Sequence, residues 1–247
     1  TYATHSHGNF EDLVNNKYGI KVVVLGWGTK WTGFTDKFDA VYKYSKELSD
    51  DDIVIFLDGF DVWVNSSLKN AIDKFKEMNS KVVFSKDEEL QGHTITKKIF
   101  GLCRDDHIVN TGMYIGYAKY IKQLMEDTTN YKCRDDQRII NTLCKKYDYI
   151  DVDSEHILFE NCENKQQLKE SQACFTSIPG GGGGTHMQKF KRTYRGWHEY
   201  GQFFMYEAAI VITILLIICM YCRAYKGFCI VLFAGALFYL LVDKSCL

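Results

Sequence analysis

Two carboxylates stand three residues apart at the end of an uncharged apolar run: Ile53-Val54-Ile55-Phe56-Leu57 leads straight into Asp58-Gly59-Phe60-Asp61. Carboxylates at that spacing, turned around a glycine, can converge on one hard divalent cation, which prefers oxygen ligands and leaves positions open for phosphate oxygens. The chemistry this points to is neutralisation of a departing diphosphate by a metal ion acting as a Lewis acid. An acidic turn that only solvates the end of a strand is the competing reading. Further on, Asp135-Asp136-Gln137 opens a helical run from Arg138 to Lys146. That acidic pair can serve a functional site, and it can equally serve the helix macrodipole, a contribution of about 0.3 to 1 kcal/mol. A third polar concentration comes late, where five glycines ending at Gly184 precede Thr185-His186 and the basic stretch from Lys189 to Arg195. His186 and the glycine amides can meet a metal-bound diphosphate, with Lys189 adding positive charge. The same glycines also suit a plain linker, and the same basic cluster suits anionic lipid headgroups.

The elements that must position these groups follow from apolar patterning. The Ile53 run reads as a strand buried on both faces, as inside a parallel or mixed sheet, and ligands gather at the carboxyl ends of such strands. Ile20 to Leu25 reads as a second strong strand, ending in Gly26-Trp27-Gly28-Thr29-Lys30-Trp31-Thr32-Gly33, whose tryptophans offer flat faces to a sugar or base. This is neither a Walker loop, since Gly-Lys-Ser/Thr is missing, nor a dinucleotide fingerprint, since one Gly-x-Gly is a weak signal. Lys37 to Leu48 and Leu68 to Met78 read as helices. Lys81 to Ser85 is a strand with Lys86, Asp87 and Glu88 at its exit, and Ile108 to Gly116 a strand whose Asn110-Thr111-Gly112 can face a sugar or simply turn. Short strands follow at Tyr147 to Asp153, His156 to Phe159 and Cys174 to Ile178. The alternation predicts an α/β domain with right-handed crossovers. Thr1-Tyr2-Ala3-Thr4 reads as the tail of a first strand, so the sequence is expected to begin inside that element. His5 and His7 are expected to face solvent, and the sequon Asn65-Ser66-Ser67 to start a helix.

Composition narrows the class. The chain has 247 residues, 46% hydrophobic and 25% charged, enough for one α/β domain with something added. A formal net charge of -1 supplies no basic surplus for nucleic acid. The last quarter is far more apolar than the rest. Around 203–222 and 228–242 lie two runs read as apolar helices, the first long enough to cross a bilayer and the second short for it, so the lipid bilayer is an expected partner. A buried pair of soluble helices is the competing reading. The predicted division is 1–195 for the α/β domain and 196–247 for a membrane anchor, with the membrane, host endomembrane or virion, and the topology left open. The cysteines of the soluble part are odd in number and lack zinc-ligand spacing, which favours a reducing compartment over a disulfide framework.

Taken in order, Ala3-Thr4, the Leu25 to Gly33 segment with its Leu-Gly-x-Gly-x-x-Trp pattern, Asp58-Gly59-Phe60-Asp61, Val83-Phe84-Ser85, Asn110-Thr111-Gly112, Asp135-Asp136-Gln137 and the late His186 segment resemble the glycosyltransferase domain of the procollagen lysyl hydroxylases and its stand-alone viral relatives. The resemblance implies a GT-A-like fold, manganese (or magnesium) and a UDP-sugar donor, with a protein or glycan hydroxyl as acceptor. It further implies Asp58, Asp61 and His186 as metal ligands, Thr4, Trp31 and Lys37 along the nucleotide or its diphosphate, and Asp135 and Asp136 near sugar and acceptor. Two departures stand out: His186 follows its glycines rather than preceding them, and no hydroxylase domain follows. Two alternatives accompany this reading. One is an aspartyl phosphatase, which would need its second Asp two residues on. The other is a decayed transferase-like fold kept as a membrane-associated binding protein.

Overall fold

A computed structural model describes residues 1–89, 92–104, 106–179, 196, 198–242 and 245–246. The chain divides into two compact units, Thr1–Gly182 and Gly183–Leu247.

The first unit is a mixed α/β domain. Its central sheet has four strands in the order β1-β4-β3-β5, formed by β1 (Ile53–Leu57), β3 (Val82–Lys86), β4 (Val109–Tyr117) and β5 (Ile150–Asp153). A second sheet of three short strands runs β2-β7-β6, from β2 (Val62–Val64), β6 (Phe159–Asn161) and β7 (Phe175–Ser177). Successive strand residues point to opposite faces, and the core follows that alternation. Phe56, Val82, Phe84 and Tyr114 face one cluster, closed by Phe38 and Val41 of α2 (Asp36–Ser45), Ile121 and Leu124 of α5 (Ala118–Thr128), and Ile139, Ile140 and Leu143 of α6 (Asp136–Cys144). Leu57, Val83, Met113 and Ile115 face the other, closed by Leu13 of α1 (Phe10–Val14), Ala71 and Phe75 of α3 (Leu68–Glu77), and the small sheet through Val62, Phe159 and Phe175. Two further helices, α4 (His93–Phe100) and α7 (Lys165–Glu170), complete this unit.

The main sheet is mixed, one of the two forms expected: β4 runs antiparallel to both β1 and β3, and only β3 and β5 pair in parallel. Other expectations are corrected. β1 lies at the sheet edge rather than inside it. Ile20 to Leu25 makes no strand; one isolated parallel bridge joins Leu25 to Tyr2, and its ladder contacts stop at Val23 and Leu25, which bond Thr1 and Ala3. The cysteines depart from the reducing expectation as well. Cys103 and Cys144 form a disulfide with Cα atoms 5.2 Å apart, while Cys162 and Cys174 are buried free thiols. The Asn65-Ser66-Ser67 stretch does start a helix as expected: Ser67 caps α3, accepting a hydrogen bond from the Asn70 amide.

In the second unit, a helical run from His198 to Tyr221 includes a 3-10 turn at Gly201–Phe204 and then α8 (Met205–Tyr221). It is followed by α9 (Tyr225–Leu241). Neither helix has an amphipathic stripe, and none of their residues is buried. Among the described residues His198–Tyr221 is the one helix long and apolar enough to cross a membrane, with mean hydropathy 2.5. Gly235 of α9 lies close against Ile212 of α8, where an added Cβ would stand 3.0 Å away.

Candidate active site

The carboxyl end of β1 meets an irregularity in β4. Between Phe84↔Tyr114 and Ser85↔Asn110 the β3–β4 register jumps, so Thr111, Gly112 and Met113 bow away from β3. Bulges of this kind re-aim side chains at functional sites. On its other side β4 stays in register with β1, and the Asp58 amide donates to the Gly112 carbonyl at 2.7 Å. Gly112 permits the approach: a Cβ there would stand 2.9 Å from Asp58 Oδ2 and from Asn110 Oδ1.

Lys37, from the first turn of α2, enters this corner. Its Nζ lies 2.7 Å from Asp136 Oδ2 and 3.3 Å from Asp58 Oδ1, and it donates to the Thr111 carbonyl at 3.3 Å. Thr111 Oγ1 donates to Asp136. The Lys37 and Asp136 side chains are nearly buried, while Asp58 keeps 38% of its side chain open to solvent. Burial alone would lower the Lys37 pKa, but Asp136 and then Asp58 outweigh it and push the ammonium above its ordinary range. Burial pushes the Asp58 carboxyl up; Lys37 opposes this and Asp136 adds to it. One cation shared by two carboxylates leaves the trio with negative charge to spare, which suits a site for a cation or a proton.

α6 brings in the remaining groups. Asp135 is its N-cap, accepting from the Arg138 amide at 2.7 Å, and Asn141 ties the helix to β4 by accepting from the Val109 amide at 3.0 Å. Gln137 Nε2 donates to Asp87 Oδ2 at 2.8 Å, and the Glu89 amide donates to Asp87 Oδ1 at 2.7 Å. Burial raises the Asp87 pKa, with Gln137, the Glu89 amide and Asn110 holding it back.

The sequence-predicted residues therefore separate. Lys37, Asp58 and Asp136 come together. Asp135 sits one residue away in a capping role. The Asp61 carbonyl accepts from the Ile178 amide at 3.1 Å, at the far end of the same turn. Thr4 pairs with His5 at 2.9 Å, its carbonyl taking the Gly28 amide. Trp31 is 44% exposed on the loop that Asp36 fixes by accepting from the Thr32 amide at 2.6 Å, its ring edge-on to Phe34. His5 and His7 flank the Phe60 ring of the acidic turn. Gly184, His186 and Lys189 lie outside the described residues. Among the described residues no group of three His, Cys, Asp or Glu side chains is placed to hold a metal ion. Asp87 and Gln137 are functional candidates that sequence reasoning gave no role. The one signal was an acid at the exit of a buried strand, the same signal that marks Asp58.

An α/β domain with a lysine–carboxylate corner where β1 ends is a candidate group-transfer site. A family described as the PLOD GT domain matches residues 1–175, and the chain belongs to that family of glycosyltransferase domains. Procollagen-lysine,2-oxoglutarate 5-dioxygenase 1 of Gallus gallus is 29% identical over 130 residues, 48% of this chain and 17% of that protein. Procollagen-lysine,2-oxoglutarate 5-dioxygenase 2 of Homo sapiens is 27% identical over 156 residues, 58% of this chain and 21% of that protein. The chain thus spans about a fifth of the relatives' length. A crystal structure of the galactosyltransferase LgtC with donor and acceptor sugar analogs is 18% identical with a TM-score of 0.36, covering 56% of each chain.

Proposed function

We propose that the chain is a membrane-anchored glycosyltransferase of the GT-A type that moves a hexose from a UDP-sugar to a hydroxyl on a protein or glycan, with a divalent cation, manganese or magnesium, at Asp58. The observation that carries this reading is the convergence of Asp58, Lys37 and Asp136 at the end of β1 in a domain of the PLOD GT family. Asp58 Oδ2 stays out of the Lys37 pair, and the side chain is partly open, so this oxygen is available to a hard cation. Asp61 from the same turn and His186 would complete the ligand set, and such a cation supplies charge neutralisation to a leaving UDP. Lys37 fixes the Asp58 carboxylate by ion pair. Asp136, held by Lys37 and Thr111, orients the acceptor hydroxyl or takes its proton, and Asp87 stands ready beside Gln137 to bind sugar hydroxyls. Thr4 and Trp31, with Gly184 and Lys189 of the segment outside the described residues, would serve the nucleotide. The apolar helices of the second unit rest in lipid.

One observation favours a second reading. Lys37 already pairs with both carboxylates, so each acid has a partner as the corner stands, as in a decayed site kept for binding. UDP release from a panel of UDP-sugars separates the two. Under the transferase reading it requires manganese and falls at least a hundredfold in Asp58→Asn and Asp61→Asn. Under the decayed reading there is no release and calorimetry finds no metal-dependent UDP-sugar binding.

A further inference from the structure

We propose that the turn between α8 and α9 is a lipid-modification site, at which Cys222 and Cys229 each carry a long-chain fatty acyl group as a thioester. The inference rests on reading α8 as a membrane span. The helical run His198–Tyr221 has 24 residues, which at ~1.5 Å each reach about 36 Å, more than the hydrocarbon core of a bilayer, so its far end emerges at the opposite face. Arg223 and Lys226 are the only charged side chains between Glu207 and Asp243, and both are exposed. Charge is costly inside the bilayer, so these two set the turn at headgroup level. Tyr221 and Tyr225 stand beside them, 90% and 77% exposed, as amphipathic rings do at a membrane interface.

The way the turn closes sorts its three thiols. The Cys222 amide donates to the Ile218 carbonyl at 2.9 Å and caps α8; Arg223 then takes a left-handed φ of 52°, and the Ala224 amide donates back to the Cys219 carbonyl at 2.8 Å. Cys219 is left half-buried against α9, where a Cβ on Gly227 would stand 3.1 Å from its sulfur. Cys222 and Cys229 are free and exposed. Cys222 adjoins Arg223, and Cys229 lies four residues past Tyr225, about 6 Å along α9, so both sulfurs fall where headgroups give way to acyl chains. Cysteines beside a membrane span are the residues that accept fatty acyl groups. The donor is a long-chain acyl-CoA, whose phosphates Arg223 and Lys226 attract. Each cysteine sulfur attacks the acyl carbonyl carbon; a carbon–sulfur bond to the cysteine forms, the one to coenzyme A breaks, and coenzyme A leaves as the thiol with the proton the cysteine gave up. The 17 residues of α9 reach only about 25 Å, short of a full crossing, so α9 holds this end weakly and two acyl tails add to the hold.

The test expresses the full chain in eukaryotic cells fed an alkynyl palmitate analogue. After reduction and blocking of every free thiol, neutral hydroxylamine cleaves thioesters, and a maleimide-polyethylene glycol tag on each thiol so released adds one step in gel mobility. The parent should show two steps and hydroxylamine-sensitive alkyne label. Cys222→Ser should remove one step, Cys222→Ser with Cys229→Ser both, and Cys219→Ser neither. Alkaline carbonate extraction run in parallel separates the two readings: a chain that stays with membranes yet shows no step overturns the proposal and leaves the anchor standing, while a chain released without a step overturns both. Steps that persist in the double variant, or that disappear in Cys219→Ser, overturn the assignment to these two thiols.

Discussion

Asp87 is the residue whose role can be isolated most cleanly, because its stability and its usefulness pull in opposite directions. Burial holds its folded-state pKa above the ordinary carboxylate value. As pH rises through about 4, the unfolded chain loses this proton first, so the folded state loses stability until pH passes the folded pKa. The penalty is complete at neutral pH and absent below the unfolded value. Asp87→Asn removes the charge and keeps an oxygen for the Glu89 amide, with the Gln137 amide turned over to accept from the new NH2, so urea melts should show the variant more stable than the parent at pH 7, with the gap closing by about pH 3. If the carboxylate serves the sugar, the same variant should lose transferase activity while gaining stability. The sequence announced Asp58 and Asp136 by their company, a buried strand and a helix start. Asp87 is quieter, because its worth depends on a glutamine fifty positions away that only the fold brings near.

At the scale of elements, the β4 bulge and the tight fit at Gly112 decide whether the corner forms. Gly112→Ala forces a Cβ to within 2.9 Å of Asp58 Oδ2 and Asn110 Oδ1. Overpacking of this sort costs about 1 to 3 kcal/mol, and denaturant melts should register it, together with weaker manganese binding as Asp58 is displaced. Helices α2, α3 and α6 and strands β1, β3 and β4 were legible from periodicity and capping, since local pattern and tertiary burial agree in them. The direction of β4 was not legible. Its residues read as a buried strand either way, and antiparallel pairing with both neighbours is a property of connections rather than of side chains. Ile20–Leu25 misled for the converse reason: Val and Ile fit a pleated surface, but a ladder needs a partner edge, which no local pattern supplies.

The whole molecule divides into two compact units, Thr1–Gly182 and Gly183–Leu247, and the second carries the apolar helices α8 and α9. If His198–Tyr221 spans a bilayer, the full chain should stay with membranes after alkaline carbonate extraction. Ile214→Arg combined with Ile217→Arg should release it, since each charge at a span centre costs about 2.5 to 3.5 kcal/mol of insertion.

The Cys103–Cys144 bond carries an implication for handling this protein. It joins the segment leaving α4 to the last residue of α6, the helix whose opposite end bears Asp136 and Gln137. Cross-links of this type persist where thiols are kept oxidised, as in the secretory pathway, and not in a cytosol rich in glutathione. Preparations made or assayed with dithiothreitol therefore sample a chain whose acid-bearing helix has lost its tail anchor, and turnover compared between laboratories will carry the history of the thiols with it.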